Sequence, residues 1–241
     1  MVNQIHGQHL TRWYDQAAGH TLDPATWKMM WYRFHTMIRM IRGRGLSILD
    51  IGAGDGDIAF TLADKGHTVS VLDISRIRLE KYEDQARSLG IVQLHGNVQG
   101  RIPVDDKTQD AVLCGEVIEH VPENNRAMLE IRRVLKTGGQ LIVSVPYRET
   151  LKMMVCPHCG ENFELNGHLH TYDESILANL FQSHGFTVTG WHAGHTRVSR
   201  LLWMLIPFKF LLPLYHLIDR LTYRRFRASD TWIMMKGIKH E

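Results

Sequence analysis

From residue 47 onward the chain alternates two hydrophobic rhythms. Short β-branched and apolar runs at 47–51, 67–72, 91–95, 110–115 and 139–145 predict strands. At 56–65, 75–88 and 123–136 apolar residues recur three and four apart, the spacing of a helix with one buried face. Strands alternating with helices in this way predict a parallel sheet covered on both faces. A further helix is expected at 173–184, then strands at 187–191 and 230–236. Upstream, Trp27, Met30, Trp31, Phe34, Met37, Ile38 and Ile41 share helical spacing, which predicts a helix packed on the sheet or capping it.

At 241 residues and 44% hydrophobic, the chain is large enough for one α/β domain with appendages. Its net charge of +3 is too small to argue for a nucleic-acid partner. Three cysteines make no disulfide framework and point to a reducing compartment. The opening Met1-Val-Asn-Gln-Ile-His lacks the pattern of a secretory signal, so a cytoplasmic location is expected.

The densest chemical signal lies at Ile48-Leu-Asp-Ile-Gly-Ala-Gly-Asp-Gly56. A strand ends in Asp50, Gly52, Gly54 and Gly56 and passes straight into a helix. Glycines serve where the backbone takes positive φ or a ligand lies against the main chain, and the helix start offers free N–H groups. The next strand ends in Asp73, placed to accept from two ribose hydroxyls.

The order D-x-G-x-G-x-G departs from the dinucleotide fingerprint and resembles motif I of the class I S-adenosylmethionine-dependent methyltransferases. Gly96-Asn97-Val98, Ile102-Pro-Val-Asp-Asp106, the run Asp110 to Val121 containing Glu116-Val-Ile-Glu-His120, and Arg133-Val-Leu-Lys-Thr-Gly-Gly139 carry the same resemblance. The group includes ubiquinone-pathway O-methyltransferases, and the likeness is close over 47–146. It implies a Rossmann-like, doubly wound, seven-stranded sheet with the last strand antiparallel, and S-adenosylmethionine as cofactor. By the same resemblance Asp50 holds the loop, Gly52 and Gly54 approach the methionyl end, and Asp73 takes the ribose. Asn97 and Val98 flank the adenine, Glu116 lies near the sulfonium, and Trp13 and Tyr14 help roof the substrate pocket. The resulting division is a helical cap (1–45), a cofactor-binding core (46–146), a metal-binding loop (147–172) and a C-terminal part of the core (173–241) with an apolar insert at 198–227.

Methyl transfer to a hydroxyl needs a base, and histidine suits that role near neutral pH. His120, after the fourth strand, and His168, in the loop after the fifth, are the candidates, with His170 beside them. The fourth strand ends Cys114-Gly-Glu without an Asn/Asp-Pro-Pro-aromatic tetrad, which argues against methylation of base amines.

Cys156-Pro-His-Cys159-Gly160 reads as a metal knuckle, and His168 and His170 follow at i and i+2. Together they offer a tetrahedral Cys2His2 set for a structural zinc. A redox pair, free thiols or a catalytic metal are the other readings, and a His168 bound to zinc is not a free base.

The stretch 201–215 is apolar but holds Lys209 and two prolines, and Arg220, Arg224, Arg225 and Arg227 follow it. It is shorter than the roughly 20 residues of a membrane span. A proline-broken helical hairpin lying in the membrane interface fits it, as does a lid or dimer contact. The resulting expectation is O-methylation of an apolar or lipid-linked acceptor, in the cytoplasm or peripherally at the inner face of the membrane. A soluble O- or N-methyltransferase of a sugar or secondary metabolite, or a catalytically silent cofactor-binding module, are the rivals. A nucleic-acid partner is disfavoured and oligomerisation is left open.

Overall fold

The computed structural model describes residues 11–12, 15–16, 24–194, 197–205, 209–222 and 232–241. Helix α1 (Pro24–Met40) precedes strand β1 (Ser47–Ile51), helix α2 (Asp57–Asp64) and strand β2 (Thr68–Asp73). Two short helices, α3 (Arg76–Lys81) and α4 (Glu83–Ser88), lead into β3 (Val92–His95) and β4 (Gln109–Gly115). A 3-10 turn at Ile118–His120, helix α5 (Asn124–Val134) and strand β5 (Leu135–Pro146) complete the first half. The rest comprises a hairpin, β6 (Met153–Val155) and β7 (Asn162–Glu164), then α6 (Glu174–Ser183), β8 (Phe186–Gly194), α7 (Arg197–Leu205), α8 (Leu212–Thr222) and β9 (Trp232–Lys239).

The seven-stranded sheet runs β3-β2-β1-β4-β5-β9-β8, with β9 antiparallel to both β5 and β8. This is the Rossmann-like, seven-stranded sheet with an antiparallel last strand that the family resemblance implies, with β9 lying between β5 and β8. Strand order reverses between β1 and β4, where Ile51 faces Leu72 on one side and Cys114 on the other. A crevice opens beyond the carboxyl ends at such a switch point.

Alternate residues of each central strand enter opposite layers, so both faces must be covered. Leu49, Ile51, Val112, Cys114, Leu141 and Val143 pack with α5 and α6 through Met128, Ile131 and Phe181. Ile48, Ala111, Leu113 and Ile142 pack with α1, α2 and α3 through Met37, Leu62 and Leu79. Helix starts follow local chemistry. Ser75 accepts from Arg78 N–H at α3, and Asp173 accepts from the N–H groups of Ser175 and Ile176 at α6, each cap being worth about 1 kcal/mol.

Several bounds differ from the sequence expectation. The helix expected over 75–88 breaks at Tyr82, whose φ of −123° leaves the helical region. The break turns its ring inward, edge-on to Phe60 at 5.4 Å. Strand β5 starts at Leu135 rather than 139, because Leu135 pairs with Gln109 ahead of a register shift. The last two strands extend beyond 187–191 and start after 230.

The apolar insert forms α7 and α8, two helices joined through a short 3-10 turn. Their inner faces close over α1, where Trp203, Leu212 and Tyr215 bury against Tyr32. Trp203 Nε1 donates to the Lys28 carbonyl at 2.8 Å. Buried Asp219 of α8 accepts from Tyr32 Oη, Ser199 Oγ and His192 Nε2, the last at 3.2 Å. Burial pushes the Asp219 carboxyl up, but these donors outweigh it and hold the group down at about 2. The opposite faces expose Leu201, Met204 and Leu205 on α7, and Leu214, Leu217 and Leu221 on α8. Among the described residues no helix is long and apolar enough to cross a membrane. Arg224, Arg225 and Arg227, the Lys209 side chain, and Trp13 and Tyr14 lie outside the described part.

Candidate active site

The glycine turn after β1 is built for close approach. Gly52, Gly54 and Gly56 have φ of 73°, 56° and 85°. A Cβ on Gly52 would stand 2.2 Å from Val117 Cγ2, so both the conformation and the space exclude a side chain there. Asp73 at the end of β2 ties the turn down. Its Oδ2 accepts from Gly54 N–H at 3.0 Å and its Oδ1 from Ser75 N–H at 2.8 Å. Each carboxylate oxygen keeps a further lone pair for a ligand hydroxyl. Ser75 Oγ in turn donates to Asp15 at 2.5 Å, which brings Asp15 against the turn.

Asp50 sits under this turn, buried, with Oδ2 lacking any hydrogen-bond partner. Burial, and then the nearby Asp73 charge, push its carboxyl up to about 8. A buried carboxylate oxygen with no donor is costly unless a cation or donor arrives. A ligand with a sulfonium and an ammonium group meets that need.

Two cavities meet at the switch point. One is lined by Leu72, Asp73, Asn97, Val98, Gln99 and Val121, together with Gly52 and Gly54. The other, of about 760 Å³, runs between α1 and the loop after β7, with Trp27, Trp31 and Phe34 on one side and Asn166 and His168 on the other. Glu116 and His120 line both. The structure gathers Asp50, Gly52, Gly54, Asp73, Val98 and Glu116 around the two joined cavities, whereas Gly56 lines neither and packs by Phe60 and Tyr82. Asn97 is there too, but its Oδ1 already accepts from Gln99 N–H at 3.1 Å.

Glu116 has a φ of 55°, a left-handed conformation that costs on the order of 1–3 kcal/mol in a residue other than glycine. Its Oε1 accepts from Ser144 Oγ at 2.8 Å and its Oε2 pairs with Arg33 at 3.0 Å. Arg33, whose guanidinium lies over the Trp232 ring at 5.1 Å, was not foreseen from sequence. Its position on the helical pattern of α1 reads only as a polar residue among apolar ones.

On the wall of the second cavity His168 Nδ1 lies 2.5 Å from Glu149 Oε2. The carboxylate can only accept, which assigns the proton to Nδ1 and leaves the Nε2 lone pair. Glu149 is steadied by Asn166 Nδ2 at 3.3 Å, and His168 N–H donates to Glu164 at 2.9 Å. His120 Nδ1 faces the Gly167 carbonyl at 3.1 Å, and its ring is 4.7 Å from that of His168. Donor atoms of Glu119, His120 and His168 lie within 4.8 Å of one another. Glu119 is buried with both oxygens unpartnered, and burial, then Glu116, raises its carboxyl well above the usual range. No local motif marks Glu149 as part of a site, and Glu119, although it lies in the Glu116-Val-Ile-Glu-His120 run, carries no role expected from sequence.

The expected Cys2His2 set is not assembled. His168 turns to Glu149 and His120, and His170 Nε2 donates to the Val121 carbonyl at 2.9 Å. Cys156 and Cys159 stand apart from both, in the turn of the β6–β7 hairpin. Among the described residues neither cysteine joins a group of three metal donors. The reason is that both histidines follow β7 back into the core, while the cysteine turn points outward. The Cys156 thiol is lowered by the backbone N–H groups of Cys159 and His158 at its sulfur.

The family model for the methyltransferase domain matches residues 49–143. The ubiquinone/menaquinone biosynthesis C-methyltransferase UbiE of Bartonella quintana is 29% identical over 194 residues, covering 72% of each chain. The ubiquinone biosynthesis O-methyltransferase of Methylococcus capsulatus is 26% identical over 66% of each chain. Among solved structures, a chain from the complex between the Haloferax volcanii Trm112 methyltransferase activator and a methyltransferase superposes with a TM-score of 0.66. It is 19% identical and covers 95% of this chain and 98% of its own length.

Proposed function

Because the chain belongs to the class I S-adenosylmethionine-dependent methyltransferases and is an enzyme, we propose that it methylates an oxygen of an apolar, lipid-linked acceptor presented at a membrane surface. The cofactor supplies an electrophilic methyl group on a positively charged sulfur. Asp73 takes the ribose hydroxyls, Val98 and Asn97 flank the adenine, and Gly52 and Gly54 let the methionyl part lie against the backbone. Asp50, orphaned and buried, supplies the compensating charge. Glu116, pinned by Arg33 and Ser144, closes the junction between the cofactor and acceptor cavities.

The observation that carries the reaction class is the His168–Glu149 pair on the acceptor wall. Glu149 holds the Nδ1 proton, so Nε2 is the atom that takes a proton from the acceptor hydroxyl as its oxygen attacks the methyl carbon. His120 lines the same junction and orients the acceptor. Trp27, Trp31 and Phe34 give the cavity an apolar wall suited to a ring or prenyl-like group.

The acceptor class rests on the insert. Leu201, Met204 and Leu205 recur at i, i+3 and i+4, and Leu214, Leu217 and Leu221 at i, i+3 and i+7, all facing outward. An exposed stripe of this kind lies down in a lipid interface. The test is turnover with methyl-labelled S-adenosylmethionine and membrane extract, followed by partition between chloroform and water. Label in the organic phase is expected. Label confined to the aqueous phase would refute the lipid-linked acceptor and favour a sugar or other soluble metabolite.

A further inference from the structure

The apolar wall of the acceptor cavity is itself held from behind. His168 stands on one side of that cavity, with Trp27, Trp31 and Phe34 on the other. A hydroxyl seated at His168 Nε2 therefore aims its ring or tail at the indoles of α1, and their position sets how large that tail can be. Trp31 meets Trp27 and His35, with ring centroids 6.5 and 3.6 Å away. Both sit one turn off on the same helix, so they travel with Trp31 and fix nothing against the rest of the fold. Trp203 comes from outside the helix. Its ring stacks on Trp31 at 5.5 Å with the planes 25° apart, within the range of an offset aromatic pair.

Trp203 is the rigid end of this row of rings. It is fully buried on the inner face of α7, one turn after fully buried Ser199, whereas Leu201, Met204 and Leu205 face outward. Tyr32 and Tyr215 stand edge-on to it at 5.3 and 5.2 Å. Its Nε1 donates to the Lys28 carbonyl at 2.8 Å, which fixes the rotation of the indole. Ser199 Oγ and Tyr32 Oη both donate to buried Asp219, so α7, α8 and α1 are tied together around the ring. Trp203 lines neither cavity, whereas Trp31 lines the acceptor cavity.

We infer that Trp203 is a positioning residue: by backing Trp31 it sets the size limit of the acceptor cavity. The inference rests on the reading of that cavity as the acceptor site. The insert thus selects the acceptor without touching it, and the cofactor cavity is indifferent to the change.

The test uses the full chain saturated with S-adenosylhomocysteine and a series of para-alkyl phenols, from phenol through methylphenol and butylphenol to octylphenol, with affinity read by calorimetry. In the parent, affinity is expected to rise about fourfold for each added methylene that the wall admits, and then to fall at the length that meets Trp31. Trp203→Ala should move that break to a longer substituent and raise affinity for the first excluded phenol by about tenfold. Trp203→Phe keeps a stacking ring and should restore the parent break. Trp203→Leu, a smaller loss of volume, should give an intermediate shift and decides the matter if the alanine variant does not fold. S-adenosylhomocysteine affinity should be unchanged in all three. A purely structural role would weaken every phenol alike and leave the break in place, and that result would overturn the inference. So would a parent that shows no break across the series, or a phenylalanine variant that shifts as far as alanine does. A parent that binds no phenol would overturn the acceptor reading of the cavity itself, and the inference with it.

Discussion

The two sides of the crevice are made differently. The proposed cofactor side is backbone: three glycines, two strand ends and a carboxylate that ties them together, all between residues 50 and 75. The proposed acceptor side is side chains: α1 and the loops before β6 and after β7 bring together Trp27, Trp31, Glu149 and His168 from distant parts of the chain. Backbone geometry fixes one ligand within narrow limits, whereas side chains on appended elements leave the second ligand open to change. A single fold can thus keep its cofactor and alter its acceptor.

That contrast can be broken most forcefully at Glu149. Glu149→Gln should lower the methyl-transfer rate by about 10²–10⁴-fold while S-adenosylmethionine affinity by calorimetry stays within about twofold. An equal loss in both would erase the division between the two sides. Gly52→Val should do the reverse. Its side chain meets Val117 and an unfavourable φ, and strain of about 3 kcal/mol corresponds to a loss of cofactor affinity near a hundredfold.

The pH dependence sharpens the account of Asp50. Raised to about 8 by burial and Asp73, it is protonated in the free protein at neutral pH, whereas a cationic ligand requires the carboxylate. Binding therefore releases a proton, and affinity should rise by up to about tenfold per pH unit from 6 toward 8, then level off. Asp50→Asn should flatten the profile.

On the outer face, Leu205→Glu combined with Leu217→Glu should release the protein from anionic liposomes in flotation. Each leucine contributes about 1.5–3 kcal/mol when buried in an apolar phase. Turnover on detergent-dispersed acceptor should be unchanged. Joint loss of flotation and detergent turnover would favour a lid.

The smallest effect concerns the frame. His216 is lowered to about 4 by burial and then His192, so the unfolded chain binds more protons than the folded one between about pH 4 and 6.5. Stability therefore rises with pH across that window. His216→Asn should reduce this dependence in thermal melts at pH 5.

What was readable in the sequence follows from the same contrast. Asp50, Gly52, Gly54 and Asp73 lie on consecutive elements whose spacing is set by strand and turn geometry, so pattern alone finds them. The parallel, helix-covered sheet follows from the alternating rhythm, and the seven strands with an antiparallel β9 from the family likeness. Arg33 opposite Glu116, and Glu149 behind His168, are tertiary pairings between loops and appended helices, and no local period encodes them. Cys156 and Cys159 were legible as a pair across a turn, but the histidines expected beside them turn instead to Glu149 and the Val121 carbonyl, pairings that no local spacing encodes.

His168 and Glu149 are proposed to prepare an oxygen for methylation on a lipid-linked acceptor. The most direct measurement is the carbon spectrum of the product formed from ¹³C-methyl S-adenosylmethionine and membrane extract. A methyl bonded to oxygen in a chloroform-soluble product is the result expected. A methyl bonded to carbon, or one carried by a water-soluble product, would contradict the account.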